Sequence, residues 1–254
     1  MIDLHSHLLP GVDDGSRSVD QSVAVLERMQ AAGVTDIVLT PHLEASRVSE
    51  GPPPDHDEAF AVLAVRIPPG IRVHRGAEVM LDRDLTPRAV QTRRITLGGT
   101  RYVLVEFTRM VAVRAASAAL EHVVKSGLVP LLAHPERYGV CTPEVVRHWR
   151  QLGARIQVDA NTLFQPTGRG NKARALVAEG LADVLAADNH GDSRSLADPY
   201  RRLVDAGAPD VADILMVTNP AAILADEPTI DPLACEIKLP LFKRFRSWIG
   251  EIRE

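Results

Sequence analysis

Two imidazoles one residue apart open the chain, in His5-Ser6-His7, and Asp188-Asn189-His190 repeats that spacing far along it. On an extended strand side chains alternate with a period of two, so each pair points to one side and can reach a single cation. Asp14, His42, Glu78, Glu106 and His134 stand singly between them, each beyond a short apolar run. His, Asp and Glu without a neighbouring Cys suit Mn²⁺, Fe or Zn²⁺ rather than a thiolate site. A lone histidine after a strand is more often a satisfied polar side chain than a ligand. Here five of the nine histidines share that placement, while His56, His74, His122 and His148 lie elsewhere. The acids and imidazoles together exceed the about four to six donors that one cation takes, so two or three cations bridged by carboxylates fit better. Such cations lower the pKa of bound water towards ~7, supplying hydroxide, and clamp developing negative charge, which is the chemistry of hydrolysis. Arg137 follows in Ala133-His134-Pro135-Glu136-Arg137-Tyr138. A phosphate matches its bidentate fork; the plainer alternative is a salt bridge to Glu136 or another carboxylate nearby.

The elements that must hold these residues read as alternating strands and helices. The apolar runs are residues 1–4, 36–39, 72–75, 102–105, 129–132, 155–158, 182–185 and 214–217. Short Val/Ile/Leu-rich runs of this kind are how fully buried parallel strands appear. Helical patterns fill the intervals at 18–32, 112–126, 142–152, 172–179 and 195–206, each followed by glycine. Repeated β-α alternation predicts an α/β fold with right-handed crossovers. Eight strand candidates fit a TIM-like barrel, distorted or one strand short, with an open doubly wound sheet as the structural alternative. In a barrel the acids and imidazoles that follow these runs, with Arg137, share the C-terminal rim of the strands, where active sites sit. Residues 49–55, Ser-Glu-Gly-Pro-Pro-Pro-Asp, read as a loop that shortens or replaces the crossover after the second strand.

Composition narrows the function classes. The chain has 254 residues, 45% hydrophobic and 24% charged, with a net charge of −4. It has the makings of a globular core and lacks the basic balance of a surface built for nucleic acid. Cys141 and Cys235 are too few for a disulfide scaffold. No apolar run is of spanning length and the opening has no signal-peptide pattern, so a cytoplasmic location is expected. Arg147 follows Cys141 by six positions, without the glycines of a cysteine-based phosphate loop, so Cys141 is expected to be structural.

The opening Met1-Ile2-Asp3-Leu4-His5-Ser6-His7-Leu8-Leu9-Pro10-Gly11-Val12-Asp13-Asp14-Gly15 resembles that of bacterial PHP-family phosphatases. The resemblance is nearest to the manganese-dependent protein-tyrosine phosphatases of capsule and exopolysaccharide operons, the CpsB/CapC type. It continues through Thr40-Pro41-His42, Gly76-Ala77-Glu78, Val105-Glu106-Phe107, the His134–Tyr138 stretch and Asp188-Asn189-His190. The His-x-His pair is common to many metallohydrolases; the Asp-Asp-Gly and His-Pro-Glu-Arg-Tyr segments are more specific. The resemblance implies a distorted (β/α)₇ PHP barrel with three divalent ions, Mn²⁺ first. It implies one ion on His5, His7, Glu78 and Asp188, a second bridged by Glu78 and completed by Glu106 and His134, and a third on Asp14, His42 and His190. It makes Arg137 a phosphoryl ligand and Arg194 a second one. The implied substrate is phosphotyrosine in the C-terminal tail of a bacterial tyrosine kinase that regulates polysaccharide synthesis. After His42 the chain departs from the family pattern, reading Leu43-Glu44-Ala45 and then the triple-proline loop, which implies a shorter rim there.

Two rival readings remain: a PHP phosphatase of a small molecule, of the histidinol-phosphate type, and a non-catalytic metal-binding regulatory barrel. The division expected is a barrel over 1–232 and a tail over 233–254. In that tail Leu241, Phe242, Phe245, Trp248, Ile249 and Ile252 recur at helical spacing. An amphipathic helix there would pack on the barrel, meet a second copy, or rest on an anionic membrane surface.

Overall fold

The computed structural model describes residues 1–239. The amphipathic pattern at residues 241–252 lies outside the described residues. Among the described residues there are nine strands, all parallel to their neighbours: β1 Ile2–Ser6, β2 Asp36–Leu39, β3 His42–Glu44, β4 Arg72–Arg75, β5 Glu78–Met80, β6 Tyr102–Glu106, β7 Val129–Ala133, β8 Arg155–Asp159 and β9 Val184–Ala186. They run β1-β2-β4 in one sheet and β3-β5-β6-β7-β8-β9 in the other.

The two sheets are one arrangement broken at two places. β3 continues β2 across Thr40-Pro41, and Pro41 has no N–H to give a ladder. β5 continues β4 across Gly76-Ala77. A Cβ at Gly76 would stand 3.1 Å from both the Val38 and Leu97 side chains, a tight fit that favours glycine there. Seven strand positions thus follow in chain order, and the last returns to the first. Ser6 bridges Asn189, and the His7 N–H donates to the Asn189 carbonyl at 2.7 Å. The result is a barrel-like α/β fold with the helices outside.

Helices α1 Val19–Ala31, α2 Pro54–Ala64, α3 Pro87–Thr92, α4 Val113–Lys125, α5 Pro143–Gln151, α6 Gly168–Ala178, α7 Ala197–Asp205, α8 Pro209–Asp213 and α9 Asn219–Leu224 supply the crossovers and the closing segment. Ser18, Thr86, Thr142 and Thr167 cap α1, α3, α5 and α6 through their hydroxyls. Most strands are buried, β3 and β4 excepted, with Leu4, Leu104, Leu131 and Val184 filling the barrel interior and α4 to α6 packing Leu120, Trp149 and Leu176 against its outside.

Two expectations are corrected. Residues 214–217 form no strand: Ile214–Thr218 is a π-helical turn running on from α8. A four-residue apolar run has no periodicity to separate buried strand from buried helix, and the bridge between β1 and the residues after β9 leaves no strand position for it. The triple-proline loop does not replace the second crossover. Pro54 is the first residue of α2, where its missing N–H costs no helical bond. At the other end, residues 227–239 carry no regular structure, but Cys235 donates its N–H to Val177 and Ile237 is buried.

Candidate metal centre

The rim expected to carry the chemistry is where the side chains meet. His5 lies in β1 and His7 directly beyond it, and their Nε2 atoms are 3.1 Å apart. Both face the same two carboxylates. His5 Nε2 is 3.2 Å from Glu78 Oε2 and 3.3 Å from Asp188 Oδ1; His7 Nε2 is 3.3 and 3.4 Å from the same atoms. His134 Nε2 reaches Glu78 Oε1 at 2.8 Å. His42 Nδ1 approaches Glu78 Oε2 at 3.1 Å and Glu106 Oε1 at 3.2 Å. Asp14 Oδ1 stands 3.5 Å from both His42 Nε2 and His190 Nε2, and the His190 ring stacks on His7 with centroids 4.1 Å apart.

All nine candidate ligands fall into four overlapping groups: His5/His7/Asp188, His5/Glu78/His134, His42/Glu78/Glu106 and His7/Asp14/His42/His190. Glu106 groups with His42 and Glu78, not with His134, as the second ion site implied by the resemblance would have it. His5, His7, Glu78, His134 and Asp188 are buried, whereas Asp14 and His42 are open to solvent, so access is from the Asp14–His42 side.

The donor chemistry fits divalent cations. Glu78 Oε2 and Asp188 Oδ1 are buried acceptors without a hydrogen bond, ringed by imidazole nitrogens. Buried lone pairs without a proton between them are costly unless a cation gathers them. Burial opposes ionisation of Glu78, yet His5, His134 and His42 hold its pKa well below the usual range. Burial likewise opposes ionisation of Asp188, and His5, His7 and Arg137 outweigh it in the same direction. In return the carboxylates overcome burial to raise the pKa of His5 and His7, and lift that of His42 to about 10. His190 moves the other way, lowered by burial and then by His7. The carboxylates therefore demand positive charge inside the cluster, and protons and metal ions compete to supply it.

Local backbone shapes the site. His134 and Asp188 adopt φ of 32° and 50°, left-handed values that residues with a Cβ rarely take. Only four non-glycine residues among those described do so, and two of them end strands at this rim. Such strain concentrates at functional positions, here aiming side chains inward where the strand direction would carry them past.

Two residues without a role in the sequence reading support the ligands. Asp13 Oδ2 accepts from His7 Nδ1 at 2.7 Å and from the His42 backbone N–H at 3.2 Å. Gln157 Oε1 accepts from His5 Nδ1 at 3.0 Å and from the His134 N–H at 3.3 Å. The backbone donor identifies that Gln157 atom as the oxygen, so His5 carries hydrogen on Nδ1 and turns Nε2 to the cluster. The signal for Gln157 is an uncharged amide between the apolar Ile156 and Val158 of a mostly buried strand.

Arg137 and Arg194 both turn to Asp188. Arg137 Nη2 contacts Asp188 Oδ2 and lies 3.7 Å from Asp159 Oδ2, so its acidic partners are these and not Glu136. Arg194 Nη1 is 3.7 Å from Asp188 Oδ2 and its Nη2 pairs with Asp192 at 2.8 Å. Two guanidinium groups thus border the cluster on one side. Cys141 is buried off the rim, and burial, reinforced by Glu136, pushes its thiol up to about 12, which removes it as a nucleophile at neutral pH.

Comparison with known proteins gives this constellation a setting. A family model described as capsular polysaccharide synthesis, CpsB/CapC, matches residues 1–225. Tyrosine-protein phosphatase CpsB of Streptococcus pneumoniae is 29% identical over 242 residues, covering 89% of this chain and 99% of the relative. Tyrosine-protein phosphatase YwqE of Bacillus subtilis is 27% identical over 196 residues, covering 75% of this chain and 77% of the relative. A solved structure from the pair YwqE and CpsB, described as unique metal-dependent tyrosine phosphatases, superposes with a TM-score of 0.78 at 23% identity, over 94% of this chain and all of that one. The phosphotriesterase of Mycobacterium tuberculosis superposes with a TM-score of 0.56 at 13% identity, over 91% of this chain and 95% of that one, a likeness of fold alone.

Proposed function

The chain belongs to the CpsB/CapC family, and from that premise we propose that it is a metal-dependent protein-tyrosine phosphatase, acting on a phosphotyrosine protein such as the tail of a bacterial tyrosine kinase. The observation that carries the reading is the convergence of nine imidazole and carboxylate ligands on one rim, with two arginines beside them. Three ions, Mn²⁺ first, are proposed for His5, His7, Asp14, His42, Glu78, Glu106, His134, Asp188 and His190. Divalent ions held there supply Lewis-acid stabilisation of phosphoryl oxygens and lower the pKa of water towards ~7.

The chain's own groups do the rest. Glu78, with its two oxygens facing different imidazoles, joins the inner and outer parts of the cluster. Asp13 and Gln157 hold the His7 and His5 rings in orientation, so little rearrangement is needed when a substrate arrives. Arg137 and Arg194 bind the phosphoryl group, and their planar forks favour the spread charge of its loose transition state. A tyrosyl leaving group has a pKa near ~10, so it departs without a strong general acid. No thiol takes part. Among the described residues no helix is long and apolar enough to cross a membrane.

Glu78→Ala tests the assignment. Metal content and turnover of a phosphotyrosine peptide should fall together, activity by roughly a hundredfold or more. Full metal content with undiminished turnover would remove Glu78 from the centre.

A further inference from the structure

A cleft of about 320 Å³ is lined by His74, Arg75, Arg93, Arg94 and the Gly98-Gly99 turn. None of these residues belongs to the ligand groups of the metal centre. His74 and Arg75 end β4, the first half of the strand that Gly76-Ala77 interrupts, and Gly98-Gly99 leads into β6. The cleft is thus set toward the N-terminal ends of the strands, away from the rim. Charge there is unbalanced: the guanidinium groups of Arg72, Arg75, Arg93, Arg94 and Arg101 share three carboxylates among the described residues. Asp57 divides its oxygens between Arg75 at 2.5 Å and Arg94 at 2.6 Å. Asp226 serves Arg101 at 3.0 Å and Arg93 only at 3.6 Å, while Asp36 takes Arg72. Like charges gathered in a concave site favour an anion between them.

The backbone gives a second, independent sign. Arg93 stands at the C-terminal end of α3 with φ of 51°, a place and conformation where glycine is the usual residue. Of the other three non-glycine residues with positive φ among those described, His134 and Asp188 belong to the metal centre and Asp226 is the partner of Arg93. An arginine kept where glycine would relieve strain points to a task for its side chain. Gly98 and Gly99 keep the cleft open: a Cβ at Gly99 would meet no atom within 4 Å.

We propose that this cleft is a second anion site, which takes a phosphate group, free or as the head of an ester, on Arg75, Arg93 and Arg94. Guanidinium forks match the paired oxygens of a phosphate. Arg75 is set in advance, its guanidinium 4.9 Å over the Phe60 ring and bonded to Asp57. The lining carries no apolar side chain, so the body of an ester bound there is itself polar. The site stands independently of the phosphatase reading.

The test titrates the full chain, loaded with Mn²⁺, by calorimetry with inorganic sulfate and with glucose 6-sulfate, tetrahedral anions that offer the metal centre no phosphorus to attack. The double variant Arg93→Gly/Arg94→Gln should bind both at least roughly tenfold more weakly than the unaltered chain, through the loss of charge-assisted bonds. Glycine suits the backbone at 93, so this variant should melt no lower than Arg94→Gln alone, which should show part of the same loss. Turnover of a phosphotyrosine peptide should be unchanged. Arg137→Ala should keep the binding, since its side chain is at the rim, and so should Arg88→Gln, which removes an arginine paired with Glu50 outside the cleft. Undiminished binding by the double variant overturns the proposal, as does an unaltered chain that binds neither anion. An equal loss in Arg88→Gln also overturns it, because net charge alone would then account for the binding. Tighter binding of glucose 6-sulfate assigns the site to an ester, and equal binding assigns it to the free anion; either accords with the site.

Discussion

At the scale of the residue, Arg137 is proposed to bind the phosphoryl group without holding metal. Its guanidinium touches Asp188, a cluster carboxylate, yet it supplies no ligand atom. Arg137→Ala should therefore keep the metal ions, weaken competitive inhibition by inorganic phosphate, and lower kcat/KM by roughly 10²-fold or more. Unaltered kinetics would make its contacts with Asp188 and Asp159 merely structural. The convergence of these imidazoles and carboxylates was the most legible part of this molecule, because a cation site draws on few residue types and strands present them at a fixed period. His5 and His7 illustrate this: the i, i+2 spacing alone foretold Nε2 atoms that meet. Their supports were less legible. Asp13 sits beside Asp14 in sequence, and only folding decides which of the two turns to the His7 ring and which to His42 and His190.

At the scale of the element, the turn from β1 into α1 is built around Gly15. A Cβ on Gly15 would lie 2.0 Å from the His7 carbonyl oxygen and 2.4 Å from the His7 Cβ, contacts no side chain can make. The same turn carries Asp13, whose carboxylate accepts the Gly15 N–H while holding His7. Gly15→Ala should thus cost about 2 kcal/mol or more of stability and reduce metal content, read by thermal unfolding and by metal analysis on one sample. Normal metal content and melting would show that the turn relaxes freely. Strands bounded by glycine, proline or a cap were legible, and Asp36–Leu39 and Arg72–Arg75 fall where their apolar runs lie. The stretch at 214–217 was not. Its apolar residues face the core as part of a π-turn, and only the completed ring of strands decides between the two conformations.

At the scale of the whole molecule, the barrel holds its chemistry at one end and its charge-paired staples elsewhere. Asp36 opens β2, buried, and accepts from Arg72 at 2.6 and 2.8 Å and from His74 at 2.9 Å, which ties β2 to β4. Burial raises its pKa, but the bonds from Arg72 and His74 outweigh that and lower it to about 2. The folded-state pKa lies below the unfolded value of about 3.9, so this carboxylate contributes its full stability above that pH. The contribution is lost as the pH falls from there through about 2. Asp36→Asn should therefore melt below the parent chain by a constant margin from pH 7 to about pH 5, and the margin should shrink on further acidification. A margin that widens in acid would contradict the assignment. The central claim also belongs to this scale, because one centre assembled from seven strand positions must perform one reaction. The direct measurement strips the protein with chelator, restores Mn²⁺, and assays a phosphotyrosine peptide, a phosphoserine peptide and histidinol phosphate side by side. The account predicts that turnover vanishes on chelation, returns with Mn²⁺, and is fastest on phosphotyrosine. Turnover that survives chelation, or a restored protein that prefers histidinol phosphate, would contradict it.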